Sequence, residues 1–211
     1  MASRKHSFRK ADALRHLSLA DARLGSIIRS VGSYDIKIRS DPFQSLVEAI
    51  IYQQLAGSAA DAIYGRFLKI YGSRFPRPDQ ILATRVTKLR RAGISARKID
   101  YLKDLALHVS EGRLRLELLR SMSDDEVVEQ LIMVKGIGRW TAEMFLIFCL
   151  GRQDVLPVGD LGLRKAVQRT YLLPELPSSE DMNNIAKVWK PYCSIATWYL
   201  WKSLEKFKGI G

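Results

Sequence analysis

The stretch Val134 to Phe148, VKGIGRWTAEMFLIF, constrains this chain more than any other. Gly136 and Gly138 flank Ile137, so the backbone there is able to take left-handed angles and approach another surface closely. From Arg139 to Phe148, good helix formers carry their apolar residues on one face. Immediately upstream, SDDEVVEQLIMV (Ser123 to Val134) reads as a helix capped by Ser123, with acidic residues in its first turn. The unit is therefore a helix, a tight hairpin and a second helix. That second helix starts directly behind glycines, so its unpaired N–H groups and positive dipole end form a ready site for a phosphate. An isolated Gly-x-Gly between helices is only a turn. Here Lys135 precedes it, Arg139 follows it, and the surrounding chain is strongly basic.

The remaining segments also carry helical periodicity. Asp41-Pro42 is a helix start, with a capping Asp and Pro in the first position, and the helix runs to about Tyr52. QQLAGS interrupts it before a helix closed by Gly72; two short helices and a longer one capped by Ser95 lead into the hairpin unit. Beyond it, Gly151 to Asp160 is a Gly/Pro loop, followed by a helix from LGLRKAVQRTYL. Another helix starts at Ser178 or Ser179 and ends before Lys190-Pro191, and a last one begins at YCSIATWYLW. At the other end, residues 1–10 are expected to be a basic tail, and Ser18 to cap a helix over LADARLGSIIRSV. Tyr34, Ile36 and Ile38 alternate, which suits an extended piece within Ser33 to Ser40. No segment has a sustained strand pattern and no repeat occurs. The expected fold is all-α, one unit of 211 residues in two helical lobes with a cleft between them. Residues 41–157 form the central bundle, with the hairpin unit at 123–148; residues 11–40 and 158–211 form the second lobe.

Composition narrows the partners. Lys and Arg number 34 against 22 Asp and Glu, a net charge of +12, which points to a polyanion and most simply to nucleic acid. The apolar run Met144 to Leu150 is too short to span a membrane, and the basic N-terminus has no apolar stretch behind it, so it is not expected to be a secretory signal. Two cysteines, Cys149 and Cys193, exclude a four-thiolate iron–sulfur cluster within this chain and give no disulfide framework. His6, His16 and His108 are scattered, without zinc-ligand spacing, and no P-loop or dinucleotide fingerprint occurs. Asp160 remains, in LPVGDLGLRKA, where it follows a turn and opens a helix. A carboxylate there is first of all a helix cap, and secondly a negative charge fixed in place at a helix end.

These residues resemble a known family. KGIGRWTAEMF, followed after a Gly/Pro loop by LPVGDLGLRK, is similar to the helix-hairpin-helix DNA glycosylase superfamily, most closely its 3-methyladenine DNA glycosylase II branch. IIYQQLAGSAA and WKPYCSIATWYLW add two more matching stretches, and the resemblance covers about residues 41 to 205. It implies a monofunctional glycosylase that removes alkylated purines of the 3-methyladenine and 7-methylguanine type from double-stranded DNA by hydrolysing the N-glycosidic bond. Asp160 would be the catalytic aspartate. Lys135, Gly136, Ile137, Gly138 and Arg139 would grip phosphates. Gln53, Gln54 and Leu55 would enter the minor groove, with Gln54 as the wedge that fills the gap left by the extruded nucleotide. Trp140, Trp201 and Met144 would line the base pocket.

The lyase branches of this superfamily commonly place a lysine where this chain has Trp140, so no Schiff-base step is expected. No cofactor is expected to be required; a structural sodium or potassium ion at the hairpin carbonyls of Val134 and Gly136 is a further implication of the resemblance. A monomer is expected, cytoplasmic and nucleoid-associated in a prokaryote or nuclear in a eukaryote. Four positions depart from the family pattern. Ala56 stands where many relatives have serine, Cys193 and Ile195 where an arginine and often a tyrosine are expected, and Met144 replaces an aromatic found in some relatives. The competing readings are a non-catalytic helix-hairpin-helix DNA-binding protein and a bifunctional glycosylase/lyase for oxidised bases. On the residues alone, apart from the resemblance, Trp140 and Trp201 read as core residues, and the basic run Arg85 to Lys98 as a solvated face.

Overall fold

The structure is a computed structural model that describes residues 2–207, and all of its regular elements are helical. Twelve α-helices follow one another: α1 Ala2–Ala20, α2 Ala22–Val31, α3 Pro42–Tyr52, α4 Gly57–Lys69, α5 Pro78–Ala83, α6 Val86–Arg91, α7 Ala96–Ser110, α8 Asp124–Ile132, α9 Arg139–Phe145, α10 Leu161–Tyr171, α11 Ser179–Ala186 and α12 Cys193–Phe207. The caps explain many of the starts. Asp41 Oδ1 accepts from Gln44 N at 2.9 Å with Pro42 in the first turn, and Ser95 accepts from Lys98 N at 3.3 Å. Ser123 and Glu126 cap each other's backbone reciprocally at α8, and Ser178 and Asp181 do so at α11.

Several boundaries differ from the sequence reading. Residues 2–10 continue α1 instead of forming a tail, and Met1 lies outside the described residues. Ser18 sits inside α1; the cap of the next helix is Asp21, whose Oδ1 accepts from Leu24 N at 3.0 Å. Asp21 is held in place for this cap by its second oxygen, which accepts the Tyr171 hydroxyl and, at 2.9 Å, the indole N–H of Trp189. Of the two hairpin glycines, only Gly136 takes a left-handed angle, φ +80°. Gly138 is extended, at φ −96° and ψ 174°, as the cap residue of α9. The helix expected through Phe148 ends at Phe145 and widens into π-turns over Leu146–Leu150.

The chain falls into two compact units, residues 39–150 and residues 2–38 with 151–207. In the first, α7 packs against α3, α5 and α6, and α9 against α3 and α8. Its interior includes Leu46, Ile50, Ile51, Phe67, Ile81, Leu102 and Leu105, all without exposed surface. In the second, α2, α10 and α12 share a core of Leu24, Leu163, Val167, Trp189, Tyr199 and Leu200. The loop from Gly151 to Pro157 belongs to this second unit rather than to the central bundle, because the start of α12 holds it. Ser194 N donates to Gln153 O at 2.9 Å, Ser194 Oγ donates to Arg152 O at 2.8 Å, and Val155 N donates back to Ser194 Oγ at 3.0 Å.

Candidate functional site

Asp160 is the cap of α10, as its place before LGLRKA implies: its Oδ1 accepts from Leu163 N at 2.5 Å. The same oxygen accepts the indole N–H of Trp201, from α12, at 2.9 Å. Trp201 was expected to line the base pocket; in addition, the structure commits its indole N–H to the carboxylate. Gly162 makes room for this pairing. A Cβ there would lie 3.2 Å from Asp160 Oδ1 and 3.6 Å from the Trp201 ring. The loop that delivers Asp160 is anchored by Ser194, and Cys193 N donates to Asp154 Oδ1 at 3.3 Å. Cys193 and Ile195 are both buried in the core of this unit, so the positions where an arginine was expected serve packing here. Burial drives the Cys193 thiol far up from its ordinary range, which keeps it protonated.

The other unit carries the remaining candidates. A cavity of about 900 Å³ is lined by Trp140, Thr141 and Met144 of α9, by Ala49 and Tyr52 of α3, by Gln53, Gln54 and Leu55, and by Ser95, Arg97, Lys98 and Tyr101 around the start of α7, with Gly136 at its edge. Trp140 and Met144 thus share a wall with all three residues of the candidate wedge loop. Trp140 is 48% exposed, which sets it apart from the core tryptophan Trp189, with no exposed surface. That exposure rules out the reading of Trp140 as a core residue. Gln54 takes a left-handed φ of 57°, a strained angle for a side chain with a Cβ. Ala56 leaves α4 without a side-chain cap, so the loop is held otherwise. The Gln53 amide donates to Gly136 O at 2.8 Å, and the Lys98 ammonium donates to Ile51 O at 2.7 Å and Gln53 O at 2.6 Å.

The hairpin sits on α7. Ile137 and Val134 are buried, which pins the turn from below, while Lys135, Gly138 and Arg139 are exposed. Lys135 N donates to Asp104 Oδ2 at 2.8 Å. Tyr101 fills the space beside Gly136: a Cβ there would fall 2.1 Å from its ring. Tyr101 and Asp104 were not singled out in the sequence, which gives no local sign of a contact across more than 30 residues. The two carbonyls expected to hold a monovalent ion each accept an N–H already, Gly136 O from Gln53 and Val134 O from Ile137 at 3.1 Å. An ion here would bind as a further partner on the second lone pairs of these oxygens. Among the described residues there is no cluster of three or more His, Cys, Asp or Glu suited to a metal.

Compared with known proteins, residues 47–191 match the family described as HhH-GPD superfamily base excision DNA repair protein. The chain is 37% identical over 193 residues to DNA-3-methyladenine glycosylase 1 of Schizosaccharomyces pombe, an alignment that covers 89% of this chain and 85% of that one. Among solved structures, the S. pombe 3-methyladenine DNA glycosylase Mag1 in complex with abasic DNA superposes with a TM-score of 0.83 at 36% identity, covering 92% of this chain and 97% of that one. A DNA-3-methyladenine glycosidase of Bacillus halodurans gives a TM-score of 0.84 at 39% identity, with 93% and 91% covered. The chain belongs to the HhH-GPD superfamily of base excision DNA repair proteins, within its 3-methyladenine DNA glycosylase branch.

Proposed function

We infer that this chain is a monofunctional DNA glycosylase that removes alkylated purines from duplex DNA, acting as a monomer and without a required cofactor. The observation that carries this reading is a carboxylate fixed by two donors, with Leu163 N and the Trp201 indole both on Asp160 Oδ1. Breaking the bond between C1′ and the purine nitrogen sends its electron pair to the base and leaves positive charge on the sugar. A water oxygen then bonds to C1′ and loses a proton, leaving an abasic site and a free base. N-alkylated purines such as 3-methyladenine and 7-methylguanine carry positive charge and leave readily, so little acid catalysis is required. Asp160 supplies negative charge for the developing cation, held in place before the reaction starts. The exposed indole of Trp140, with Met144 one turn on, offers a face to an electron-poor base; cation–π attraction of this kind is worth about 1–2 kcal/mol when desolvated. The S. pombe relative captured with abasic DNA is bound to what base removal leaves behind.

The hairpin from Lys135 to Arg139 is the phosphate grip, and Gln54, with Gln53 and Leu55, the wedge. A monovalent ion at the Val134 and Gly136 carbonyls would brace the hairpin and take no part in bond cleavage. We propose no lyase step. Position 140 is a tryptophan, and Lys98, an amine lining the same cavity, has its Nζ engaged by two backbone carbonyls. Incubation with methylated duplex DNA tests the reading: free 3-methyladenine and 7-methylguanine are expected, and release of neither would refute the substrate class. Asp160→Asn should slow release by roughly 10²- to 10³-fold, the scale of losing one preorganised charge-stabilising group, while DNA binding persists. Borohydride should trap no covalent adduct.

A further inference from the structure

Lys98 is in an unfavourable place for a lysine. It lies in the first turn of α7, where the helix dipole repels a cation, and burial pushes its amine below the ordinary lysine range. Its compensation comes from another helix. Nζ donates at 2.7 Å to Ile51 O and at 2.6 Å to Gln53 O, the carbonyls at the negative end of α3. Those carbonyls mark the point where the chain leaves α3 for Gln54 and its left-handed backbone. One turn along α7, Tyr101 fills the space beside Gly136; one turn further, Asp104 accepts Lys135 N at 2.8 Å. Residues 98, 101 and 104 lie on one face of the helix. The Gln53 amide on Gly136 O closes the circuit between loop and hairpin.

We propose that Lys98 is a positioning residue for the Gln53–Leu55 loop, acting from α7 together with Tyr101 and Asp104 to hold that loop and the hairpin in fixed register. The proposal rests on the glycosylase reading above. The hairpin fixes where the DNA backbone lies, so a loop that drifts relative to it inserts at the wrong depth. Insertion matters when a stacked, paired base must be extruded, at a cost of a few kcal/mol, and matters little when the base is already unpaired. Loss of Lys98 should therefore discriminate between substrates by their pairing.

The test is single-turnover excision by the full chain on two duplexes that share one 7-methylguanine, opposite cytosine in one and opposite a tetrahydrofuran abasic analogue in the other. Lys98→Met is expected to slow the paired substrate by roughly tenfold or more, the scale of losing charge-assisted hydrogen bonds. The unpaired substrate should slow by less than about threefold on the same scale. A general loss of folded enzyme lowers both rates by one factor and cannot change their ratio. Lys98→Gln keeps a donor for one carbonyl and should give an intermediate ratio; it carries the test should the methionine variant not fold. Equal losses on both duplexes, or none, would overturn the proposal. So would a borohydride-trapped adduct that forms with the parent protein and vanishes with Lys98→Met, since Lys98 would then be a nucleophile. A parent protein inert on both duplexes and on 3-methyladenine in methylated DNA would instead remove the glycosylase reading, and this proposal with it; one that releases only 3-methyladenine carries the same comparison on that base.

Discussion

Gly136→Ala isolates what the hairpin requires of its backbone. Two separate penalties apply at this residue. Its φ of +80° lies in the left-handed region, where a Cβ costs roughly 1–2 kcal/mol. The Cβ would also fall 2.1 Å from Tyr101 Cδ2 and 2.4 Å from Cε2 and Cγ, well inside contact distance, so the ring has to move. Moving it disturbs a residue between Lys98 and Asp104, and overpacking of this kind costs about 1–3 kcal/mol. Together the loss comes to roughly 2–5 kcal/mol. For a chain of this length each kcal/mol shifts the melting temperature by about 2–4 °C, so thermal denaturation should show a drop of several degrees at least. Gly138→Ala is the control. Its φ is −96° and nothing beyond its chain neighbours lies within 4 Å of an added Cβ, so only the poorer N-cap counts and its stability should stay within about 1 kcal/mol of the parent. Titration with duplex DNA then separates fold from grip: a loss of affinity in Gly138→Ala without a loss of stability marks a backbone that a phosphate approaches closely. If Gly136→Ala melts with the parent, the tight packing of Tyr101 against the turn is not what fixes this hairpin. Measured against Tyr101→Ala alone, adding Gly136→Ala should cost only the part due to φ, because the clash is gone.

Other outcomes follow from the same geometry. Trp201→Phe keeps a ring but removes the donor to Asp160 Oδ1; at roughly 1.5–3 kcal/mol for a hydrogen bond to a charged group, single-turnover excision should fall by about 10- to 100-fold with DNA affinity retained. Unchanged excision would mean the indole does not orient the carboxylate. Gln54→Gly relieves a left-handed residue, so stability should stay within about 1 kcal/mol of the parent while excision from paired DNA falls; an equally active variant would remove Gln54 as the wedge. Tyr34, Tyr64, Tyr71 and Tyr171 are all shifted upward, chiefly by burial, and burial pushes Tyr199 up to about 12. Above pH 10 the unfolded chain gives up tyrosine protons that the folded chain retains, so stability should fall from pH 10 toward pH 12. Denaturant midpoints across that range should show the fall, and Tyr199→Phe should flatten it; an unchanged slope would refute the assignment to Tyr199.

Local chemistry made much of this fold legible. Asp41, Ser95, Ser123 and Asp160 are short polar residues placed before apolar periodic runs, and each caps the helix it was expected to open. Where capping needs a distant partner, the local signal points elsewhere. Ser18 looks as good as Asp21 until the Tyr171 hydroxyl and Trp189 indole, some 150 residues on, are seen to converge on Asp21. The site divides in the same way. Asp160 is marked by its own neighbours, whereas its bond to Trp201 spans 41 residues and gives the indole N–H a partner that no local pattern names. Lys98 looked like one of several cations on a solvated face, although its neighbours Ile99 and Leu102 are core residues. Basic residues beside apolar stripes ordinarily keep their charge in water, and no spacing rule names the carbonyls that Lys98 meets instead.

The four tryptophans are distributed so that the protein carries its own optical reporter. Trp189 is sealed in the core and Trp198 and Trp201 are partly covered, while Trp140 stands 48% in water at the rim of the cavity. An indole in water emits at longer wavelength than one in an apolar surround, so the red edge of the emission belongs mainly to Trp140. On the base-pocket role proposed for Trp140, a base that covers that ring should shift the edge toward the blue, a label-free signal of its arrival and, with time resolution, of its departure.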